Sequence, residues 1–252
     1  MKVKIISKKS YPELKKIYGR FEISDKADVC LAIGGDGTFI RAANEFDGPI
    51  LPVRSKEKDS TGYYADVGLD DIDYVIKSLS KKDYRVEELG KKVEVEYGGK
   101  KYYGVNEVLL KNVQEEVYFK LYYDEDGRRN RLYDYTLSGD GFLVTNAIGS
   151  TAYNRTAGGP IIMDKDVMCL TFLSLENPLS NSIILRKDEK IHAEIEKGRG
   201  ILSYDGIIIG QLGPGDSFAV RMSNKKVKVL KLDRTSEEFS AKLSRIVKSK
   251  LN

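Results

Sequence analysis

The segment GGDGT at residues 34–38 combines three glycines with one carboxylate, between an apolar stretch and a helical stretch. Glycines let a backbone approach a ligand closely, and successive N–H groups beside a helix N-terminus bind anions such as a phosphate chain. A carboxylate there repels phosphate unless it binds a metal or accepts a proton, and phosphoryl transfer needs both roles. The segment therefore predicts a phosphate-binding turn with a reactive Asp36. A tight turn capped by Asp36 or Thr38 is the purely structural alternative.

Two common phosphate-binding motifs do not fit this segment. It lacks the lysine of a Walker loop. It also departs from the dinucleotide fingerprint G-x-G-x-x-G, because Ile40 stands where the third glycine belongs. A dinucleotide that binds here does not bind in the usual Rossmann manner.

Two further motifs offer polar groups to a ligand. Asn106-Glu107 follows a predicted strand, and its amide and carboxylate suit ribose hydroxyls or an exocyclic amine; a solvated strand end is the bland alternative. The segment GDG at 139–141 leads into GSTAY at 149–153 and GGP at 158–160. These residues present hydroxyls, N–H groups and a tyrosine ring, which suit phosphate, ribose and base. The alternative is a surface helix capped by Ser150 or Thr151.

Strands and helices alternate in the first part of the sequence, which predicts a parallel α/β sheet. Predicted strands lie at 3–6, 21–23, 27–33 and 49–53, and predicted helices at 10–19, 39–46 and 70–80. Beyond residue 81 a period of two takes over, with a hairpin predicted over 93–110 and further short strands. The predicted fold class is therefore an N-terminal α/β, Rossmann-like domain over 1–85 and a β-sandwich-like domain over 86–235. A helix at 236–250 is expected to pack back on the first domain.

Composition excludes several functional classes. The 252 residues include 42 Lys and Arg against 38 Asp and Glu, so a net charge of +4 argues against a nucleic-acid partner. No apolar run approaches the length of about 18 residues that predicts a membrane span, and the N-terminus lacks a signal-peptide pattern. Cys30 and Cys169 form no CxxC pair, which favours a reducing, cytoplasmic location. His192 is predicted on the solvent side of a strand, without a catalytic role.

The order of these motifs resembles the signature of the NAD kinase family, whose members phosphorylate NAD to NADP, and the match is to an archaeal-like member. The carriers are GGDGT at 34–38, NE at 106–107, GDG at 139–141, GSTAY at 149–153 and GGP at 158–160. The resemblance spans most of the chain. The sequence departs from the family at 145–149, which lacks a TPTG-like stretch, and at 53–63, where Arg54, Lys56 and Lys58 replace a glycine-rich loop.

The resemblance implies roles for individual residues. Asp36 would be catalytic and would activate the 2′-hydroxyl of the adenosine ribose. Asp140 would contact the nicotinamide end, often together with a neighbouring subunit. Gly35, Gly37 and Thr38 would hold the donor phosphates, and Asn106 and Glu107 would hold the adenosine part. Thr151, Ala152, Tyr153 and Thr156 would line the adenine and ribose pocket. The other implied cofactor-binding residues are Arg41, Gly149, Ser150 and, in a later motif, Asp205.

The implied reaction transfers a phosphoryl group from ATP or polyphosphate to NAD, with Mg²⁺ neutralising the donor. The partners would then be these small molecules, in a homodimer or homotetramer. Two other functions stay open. A lipid or sugar kinase shares a GGDGT-like loop, but the expected GTGND-like or TxDND-like segment is absent from the sequence. A nucleotide-binding sensor without catalysis draws its support from the altered stretch 146–148.

Overall fold

The computed structural model describes residues 1–55, 63–125, 127–176 and 179–232. The chain divides into two compact units, Met1–Leu89 with Val227–Asn252, and Gly90–Lys226. The helix predicted at 236–250 lies outside the described residues, as do Lys56 and Lys58 of the basic cluster. Within the described part of the chain, no helix is long and apolar enough to cross a membrane.

In its described residues, the first unit is a parallel sheet with three α-helices. Its elements are β1 (Lys2–Ser7), α1 (Leu14–Tyr18), β2 (Glu22–Ile23), β3 (Val29–Gly34), α2 (Asp36–Glu45), β4 (Ile50–Arg54), β5 (Val67–Gly68), a 3₁₀ turn (Leu69–Asp71) and α3 (Ile72–Lys81). The strand order is β4-β3-β1-β2, and each of these neighbouring pairs is parallel. From β1 the chain passes first to one side of the sheet and then to the other, so the order reverses between β1 and β3. Ligands of open α/β sheets bind outside the carboxyl ends of strands at such a point.

The buried strand β3 explains why this sheet forms. Residues 29–33 are all buried, as expected for a strand covered on both faces. Helix α3 adds Ile72, Val75 and Leu79 to the same core, at the spacing that the sequence predicts for its buried side. The α/β part of the predicted fold therefore follows directly from local hydrophobic patterns.

Helix α2 begins earlier than the pattern predicts. The pattern predicts a start at residue 39, yet Asp36 is already helical and Gly35 is the extended N-cap residue. The N–H groups of Thr38 and Phe39 both donate to the Gly35 carbonyl oxygen, at 3.0 and 3.3 Å. Apolar periodicity does not reveal this first turn, because its residues Asp36, Gly37 and Thr38 are not apolar in pattern. As a result, Asp36, Gly37 and Thr38 belong to a helix N-terminus rather than to a loop.

The second unit is a β-sandwich. Its elements are β6 (Arg85–Tyr97), β7 (Lys100–Gly104), β8 (Glu107–Asn112), β9 (Val117–Glu125), β10 (Arg128–Arg131), β11 (Leu137–Gly139), β12 (Gly141–Asn146), a 3₁₀ turn (Gly149–Thr151), α4 (Tyr153–Thr156), β13 (Val167–Leu173), β14 (Ser182–Arg186), β15 (Lys190–Lys197), β16 (Gly200–Tyr204), β17 (Ile207–Leu212) and β18 (Ser217–Lys231). The sequence boundaries between the two units fall within β6 and β18.

Two antiparallel layers enclose the sandwich core. One has the order β14-β13-β12-β8-β16-β17, and the other contains the run β10-β9-β15-β18. Phe142 of the first layer lies 5.1 Å from the Phe119 ring and 5.9 Å from the Phe218 ring of the second, measured between ring centroids. The predicted fold class is thereby confirmed, with an α/β unit and a sandwich-like unit.

The hairpin predicted over 93–110 is wrong in its second half. Strands β6 and β7 do pair through Gly98-Gly99, but β7 ends at Gly104. Strand β8 begins at Glu107 and joins the other layer, between β12 and β16. A Cβ atom on Gly104 would fall 2.7 Å from the Glu107 carbonyl oxygen, so the chain turns tightly here. This change of layer places Asn106 and Glu107 at a strand start.

Candidate active site

Asp36 lies at the carboxyl end of the parallel sheet, where β3 gives way to α2. It is the first residue of that helix and is half-buried. Its Oδ1 accepts a hydrogen bond from the backbone N–H of Tyr64 at 3.3 Å. A negative side chain is favourable at a helix N-terminus because of the helix dipole. Asp36 therefore combines an ordered position with partial access to solvent, as a general base requires.

Two tyrosines beside Asp36 carry no signal that the sequence analysis used. The Tyr64 ring stacks on Phe39 of α2, with 4.3 Å between centroids, and meets the Tyr63 ring edge-on at 4.9 Å. Burial and, secondarily, the charge of Asp36 raise the pKa of the Tyr63 phenol. The sequence places both tyrosines in a loop, and only the fold brings that loop back to Asp36.

Thr38 supports the turn from inside. It is buried at 2% exposure, and its side chain packs over Gly34, where a Cβ atom would fall 2.3 Å from Thr38 Oγ1. Its backbone N–H already donates to Gly35. Gly37 is exposed and has open space on its Cβ side. Gly37 and Asp36 are therefore the parts of this turn that a ligand can reach, while Thr38 holds the backbone behind them.

Arg41 lies one helical turn further along α2. Its Nη2 donates to the carbonyl oxygen of Ser7, the last residue of β1, at 3.1 Å. Its Nε is 3.9 Å from Glu45 of the same helix, and the side chain is exposed. This arrangement sets a positive charge at the carboxyl end of β1, beside the point where the strand order reverses.

Asn106 and Glu107 are buried, which contradicts the solvated strand end considered from the sequence. Their exposed fractions are 8% and 9%. Asn106 Oδ1 and Glu107 Oε2 are buried, and neither accepts a hydrogen bond from any residue that the structure describes. Burial, aided by the charge of Asp205, raises the pKa of Glu107 to about 7. Two buried acceptors without a donor indicate a place for a ligand's N–H or O–H groups.

The GSTAY segment lies directly against Asn106. A Cβ atom on Gly149 would fall 2.0 Å from the Asn106 carbonyl oxygen, so only glycine fits. The Gly149 N–H donates to Asn146 Oδ1 at 2.9 Å, and Asn146 Nδ2 donates to Val105 and Lys91 carbonyl oxygens at 3.0 and 2.7 Å. Asn146 belongs to the stretch that departs from the family pattern. In this chain it ties the two motifs together.

Ser150 has a structural place rather than a cap position. It is completely buried; its Oγ donates to the Ala147 carbonyl oxygen at 2.9 Å and accepts from the Ile162 N–H at 3.1 Å. Neither α4 nor the preceding 3₁₀ turn has a side-chain cap, so the predicted capping by Ser150 or Thr151 is wrong. The side chains left for a ligand are half-buried Thr151, Ala152 and Tyr153, and exposed Thr156.

Asn154 is fully buried and connects several parts of this segment, although no motif in the sequence marks it. Its Nδ2 donates to the Pro160 carbonyl oxygen at 2.8 Å, and its Oδ1 accepts from Thr171 Oγ1 at 2.6 Å. A Cβ atom on Gly159 would fall 2.2 Å from Asn154 Oδ1. GGP at 158–160 therefore folds over Asn154. An asparagine inside a run of polar residues gives no local sign of such a role.

Asp140 is held at the far end of the same strands. Its Oδ1 accepts from Asn112 Nδ2 at 3.0 Å, and Asn112 is the last residue of β8. Glu107 is the first residue of β8, and five residue steps along a strand amount to about 17 Å. Gly141 (φ 126°) has its Cα against the Leu110 carbonyl oxygen, where a Cβ would come within 2.1 Å. Within one chain, Asp140 therefore lies at the opposite end of β8 from Asn106 and Glu107.

Asp205 occupies the turn between β16 and β17 and reaches the backbone before β8. Its Oδ2 accepts from the Val105 N–H at 2.6 Å, and its Oδ1 accepts from Asn106 and Glu107 N–H groups at 2.8 and 3.3 Å. From the sequence, Asp205 is an expected cofactor-binding residue in a later family motif. In the structure the carboxylate binds the backbone that carries the NE pair.

Other sequence expectations concern metals, thiols and histidine. In the described part of the chain, no three His, Cys, Asp or Glu side chains are grouped as metal ligands. Cys30 and Cys169 are buried free thiols. His192 lies on the face of its strand opposite to the buried core residues Ile191 and Ala193, as predicted. Neighbouring side chains cover much of it: its side chain is 12% exposed, and its Nε2 lies 2.8 Å from Asp124 Oδ2.

Comparison with known proteins agrees with these motifs. The model of the ATP-NAD kinase C-terminal domain matches residues 104–232, just over half of the chain. This chain belongs to the ATP-NAD kinase family. The match covers the NE pair, GDG, GSTAY and Asp205, so the resemblance identified from those motifs is confirmed.

Several relatives of this family member are named NAD kinase. The protein of Caldicellulosiruptor saccharolyticus is 29% identical over 84% of this chain and 79% of its own length. That of Sulfurimonas denitrificans is 27% identical over 83% of this chain and 74% of its own length. These relatives also confirm the prediction of an enzyme of the NAD kinase class.

Solved structures of the family share the fold. Yeast NADH kinase, solved with NADH, superposes with a TM-score of 0.81 at 16% identity, over 98% of this chain and 87% of its own. An NAD kinase from Archaeoglobus fulgidus, solved with ATP, gives a TM-score of 0.74 at 18% identity, over 97% and 99%. At this level of identity the likeness shows the architecture.

Proposed function

We propose that this family member is an NAD kinase that transfers a phosphoryl group to the adenosine ribose 2′-hydroxyl of NAD, giving NADP. Family membership supports the reaction. The structural observation that carries it is the pair of buried acceptors, Asn106 Oδ1 and Glu107 Oε2, beside the GSTAY turn. A dinucleotide brings ribose hydroxyls and an adenine amine, which are donors of the kind that such acceptors need.

Asp36 is the proposed catalytic base. The 2′-oxygen attacks the terminal phosphorus of the donor, its proton passes to Asp36, and the bond from phosphorus to the leaving phosphate oxygen breaks. ADP, or a polyphosphate shortened by one unit, is released. The proposed phosphate contacts are Gly35, Gly37 and Arg41 on the first turns of α2, with Thr38 supporting that turn from inside. Positioning and electrostatics provide most of the catalysis in such transfers.

Mg²⁺ fits this site as a companion of the donor. Proteins hold Mg²⁺ through one or two carboxylates together with substrate phosphates, and bound Mg²⁺ neutralises the charge that develops on them. Asp36 is the carboxylate that the chain sets at the proposed phosphate site, and the described residues contain no ligand cluster of their own. We therefore assign the metal to the ATP or polyphosphate substrate, with Asp36 as its protein neighbour.

We divide the work between the two parts of the chain as the sequence suggests. Residues 1–85, with 236–250, would handle the phosphate donor and the catalytic base, and residues 86–235 would bind NAD. Thr151, Ala152 and Tyr153 line the proposed adenine and ribose pocket, and exposed Thr156 stands at its edge. The two buried free thiols support a cytoplasmic site of action.

We further propose a homodimer or homotetramer in which Asp140 serves the neighbouring subunit's NAD. The distance along β8 supports this assignment, because Asp140 and Glu107 lie at opposite ends of that strand. Strands β14 and β17 lie at the two edges of one layer, and their Ile184 and Ile208 side chains are 53% and 65% exposed. Both edges thus offer apolar surface for subunit contacts.

The test is NADP formation by the purified protein, with ATP and with polyphosphate as separate donors and Mg²⁺ present. An NAD kinase forms NADP with at least one donor. A sensor binds NAD without turnover, and a lipid or sugar kinase consumes ATP only with its own acceptor. Omission of Mg²⁺, with a chelator added, should abolish turnover and leave NAD binding measurable by calorimetry.

A further inference from the structure

Every backbone N–H and carbonyl group of Val105–Glu107 forms a hydrogen bond within the protein. Its three N–H groups donate to the Asp205 carboxylate, at 2.6, 2.8 and 3.3 Å. Its carbonyl oxygens accept from Asn146 Nδ2 at 3.0 Å, Thr145 Oγ1 at 2.7 Å and the Asp205 N–H at 3.2 Å. An ionised carboxylate only accepts hydrogen bonds, so a single Asp side chain suits three successive N–H donors.

Asp205 reaches this segment from a strained turn. Its φ is 46° and that of the following Gly206 is 78°, the two positive values of a tight hairpin. Asp is among the few non-glycine residues that adopt such a φ. Gly206 at the second position has open space around it. The turn therefore presents the carboxylate of Asp205 towards β8 rather than towards solvent.

The hydrogen bonds to the backbone of residues 105–107 fix the position of two side chains. Asn106 and Glu107 stand on the clamped backbone, and each keeps one buried acceptor unused by the described protein atoms. Rigid backbone support fixes where such acceptors point, and a shift of about 1 Å in a binding group costs large factors in affinity or rate.

We propose that Asp205 is a positioning residue for NAD, which acts by holding the Asn106–Glu107 backbone and not by touching the dinucleotide. This inference rests on the proposed NAD kinase function. It assigns to Asp205 a different part from direct NAD contact, because its carboxylate oxygens are placed on backbone N–H groups.

Electrostatics gives this role a second consequence. Among the described residues, the charge that acts on Glu107 is that of Asp205 in the turn, while its strand partner Thr145 and the neighbouring Gly104 are uncharged. Burial and the charge of Asp205 raise the pKa of Glu107 to about 7. Removing that charge lowers the pKa of Glu107, so an inflection in the pH profile of NAD binding moves to more acidic pH.

The primary test is NAD binding and kinetics of Asp205→Asn. The amide cannot accept from all three N–H groups, so we expect KM for NAD to rise about tenfold, the effect of one charge-assisted hydrogen bond, while KM for ATP and the melting temperature change little. The inflection in kcat/KM for NAD should move to lower pH, which a merely structural defect does not produce. Glu107→Gln should abolish that inflection.

A matched control is Asp216→Asn. Asp216 is exposed in the turn before β18, and its Oδ2 accepts the Gly213 N–H at 2.8 Å. This substitution also weakens a carboxylate bond to a turn backbone, but that turn does not hold residues 105–107. NAD binding and its pH profile should stay as in the wild type.

Two further variants separate positioning from direct contact. Thr145 is fully buried, so Thr145→Val removes the bond to the Asn106 carbonyl oxygen at a site that NAD does not reach. It should weaken NAD binding several-fold, and it keeps the test valid even if Asp205→Asn unfolds. In the Asn106→Ala/Glu107→Gln background, Asp205→Asn should add little further loss.

The outcomes are distinct. Unchanged NAD affinity in Asp205→Asn and Thr145→Val, or a full additional loss in the double-variant background, overturns the positioning role while NADP formation by the wild type upholds the function. Absence of both NAD binding and NADP formation in the wild type overturns the function and this inference with it.

Discussion

Gly149 lies against the main chain of Asn106, so closely that a Cβ atom on Gly149 would fall 2.0 Å from the Asn106 carbonyl oxygen. The two residues belong to motifs that are well separated in sequence, GSTAY and NE. Thr145 Oγ1 also donates to that carbonyl oxygen, at 2.7 Å. The NAD-binding surface that we propose is therefore one packed backbone arrangement rather than two independent loops.

Substitution of Gly149 by alanine should disrupt this arrangement. The added methyl group meets backbone atoms, which cannot rotate away, so we expect a loss of about 2 kcal/mol in the free energy of unfolding. KM for NAD should rise more than KM for ATP. Urea unfolding and initial rates give the two quantities. Gly213→Ala is the control, since Gly213 has open space and an ordinary φ. Equal free energies of unfolding and equal KM values for NAD in the two variants would contradict the close contact.

Glu107 should make the fold less stable as pH rises. Its pKa is raised from 4.5 to about 7 by burial and by the Asp205 charge, so the folded protein binds this proton more tightly than the unfolded chain. The stabilising contribution is complete below pH 4.5 and is lost as pH rises through 7. By linkage it amounts to about 3 kcal/mol.

Glu107→Gln isolates that contribution. Denaturant unfolding at pH 5 and pH 8 measures the free energy of unfolding of both proteins. Relative to the wild type, the variant should be more stable at pH 8 than at pH 5. Glu96→Gln, on an exposed carboxylate whose pKa is lowered by Lys190, should show no such gain. A pH-independent difference between Glu107→Gln and wild type would contradict the raised pKa.

Asp140 should act in a neighbouring subunit, and mixed oligomers test this. Asp36→Asn and Asp140→Ala chains are each expected to be inactive alone. In a mixed dimer, one site combines the intact Asp36 of one chain with the intact Asp140 of the other. A randomly mixed dimer sample should therefore recover about a quarter of the wild-type rate, because the two sites are related by symmetry. No recovery on mixing would place Asp140 in its own chain's site or outside any site.

The hydrophobic pattern of the sequence predicts those helices and strands whose formation depends mainly on neighbouring residues. The buried strand β3 and the spacing of buried residues in α3 follow from hydrophobic periodicity, and the glycines of 34–38 mark the turn between strand and helix. The sandwich was also visible, because alternation and turn residues repeat through its strands. The family could be identified because each of its motifs is a short run of consecutive residues in the sequence.

The remaining features of the candidate site depend on contacts between residues far apart in the sequence, which local patterns do not predict. Asp205 accepts a hydrogen bond from the Val105 N–H group, although the two residues are about 100 positions apart in the sequence. The residues around either position give no sign of that bond. Burial of Asn106 and Glu107 depends on the step of the chain from one layer to the other after Gly104. Asn146 and Asn154 likewise look like ordinary loop residues until their partners are folded against them.

The rate of NADP formation by Asp36→Asn, compared with wild type, tests the central claim most directly. Asparagine keeps an oxygen to accept the Tyr64 N–H, so the fold and NAD binding should persist. Loss of the general base should lower kcat by a factor of about 10³. Asp73→Asn, at an exposed first-turn position of α3, is the matched control and should keep full activity. Near-normal NADP formation by Asp36→Asn would contradict Asp36 as the base.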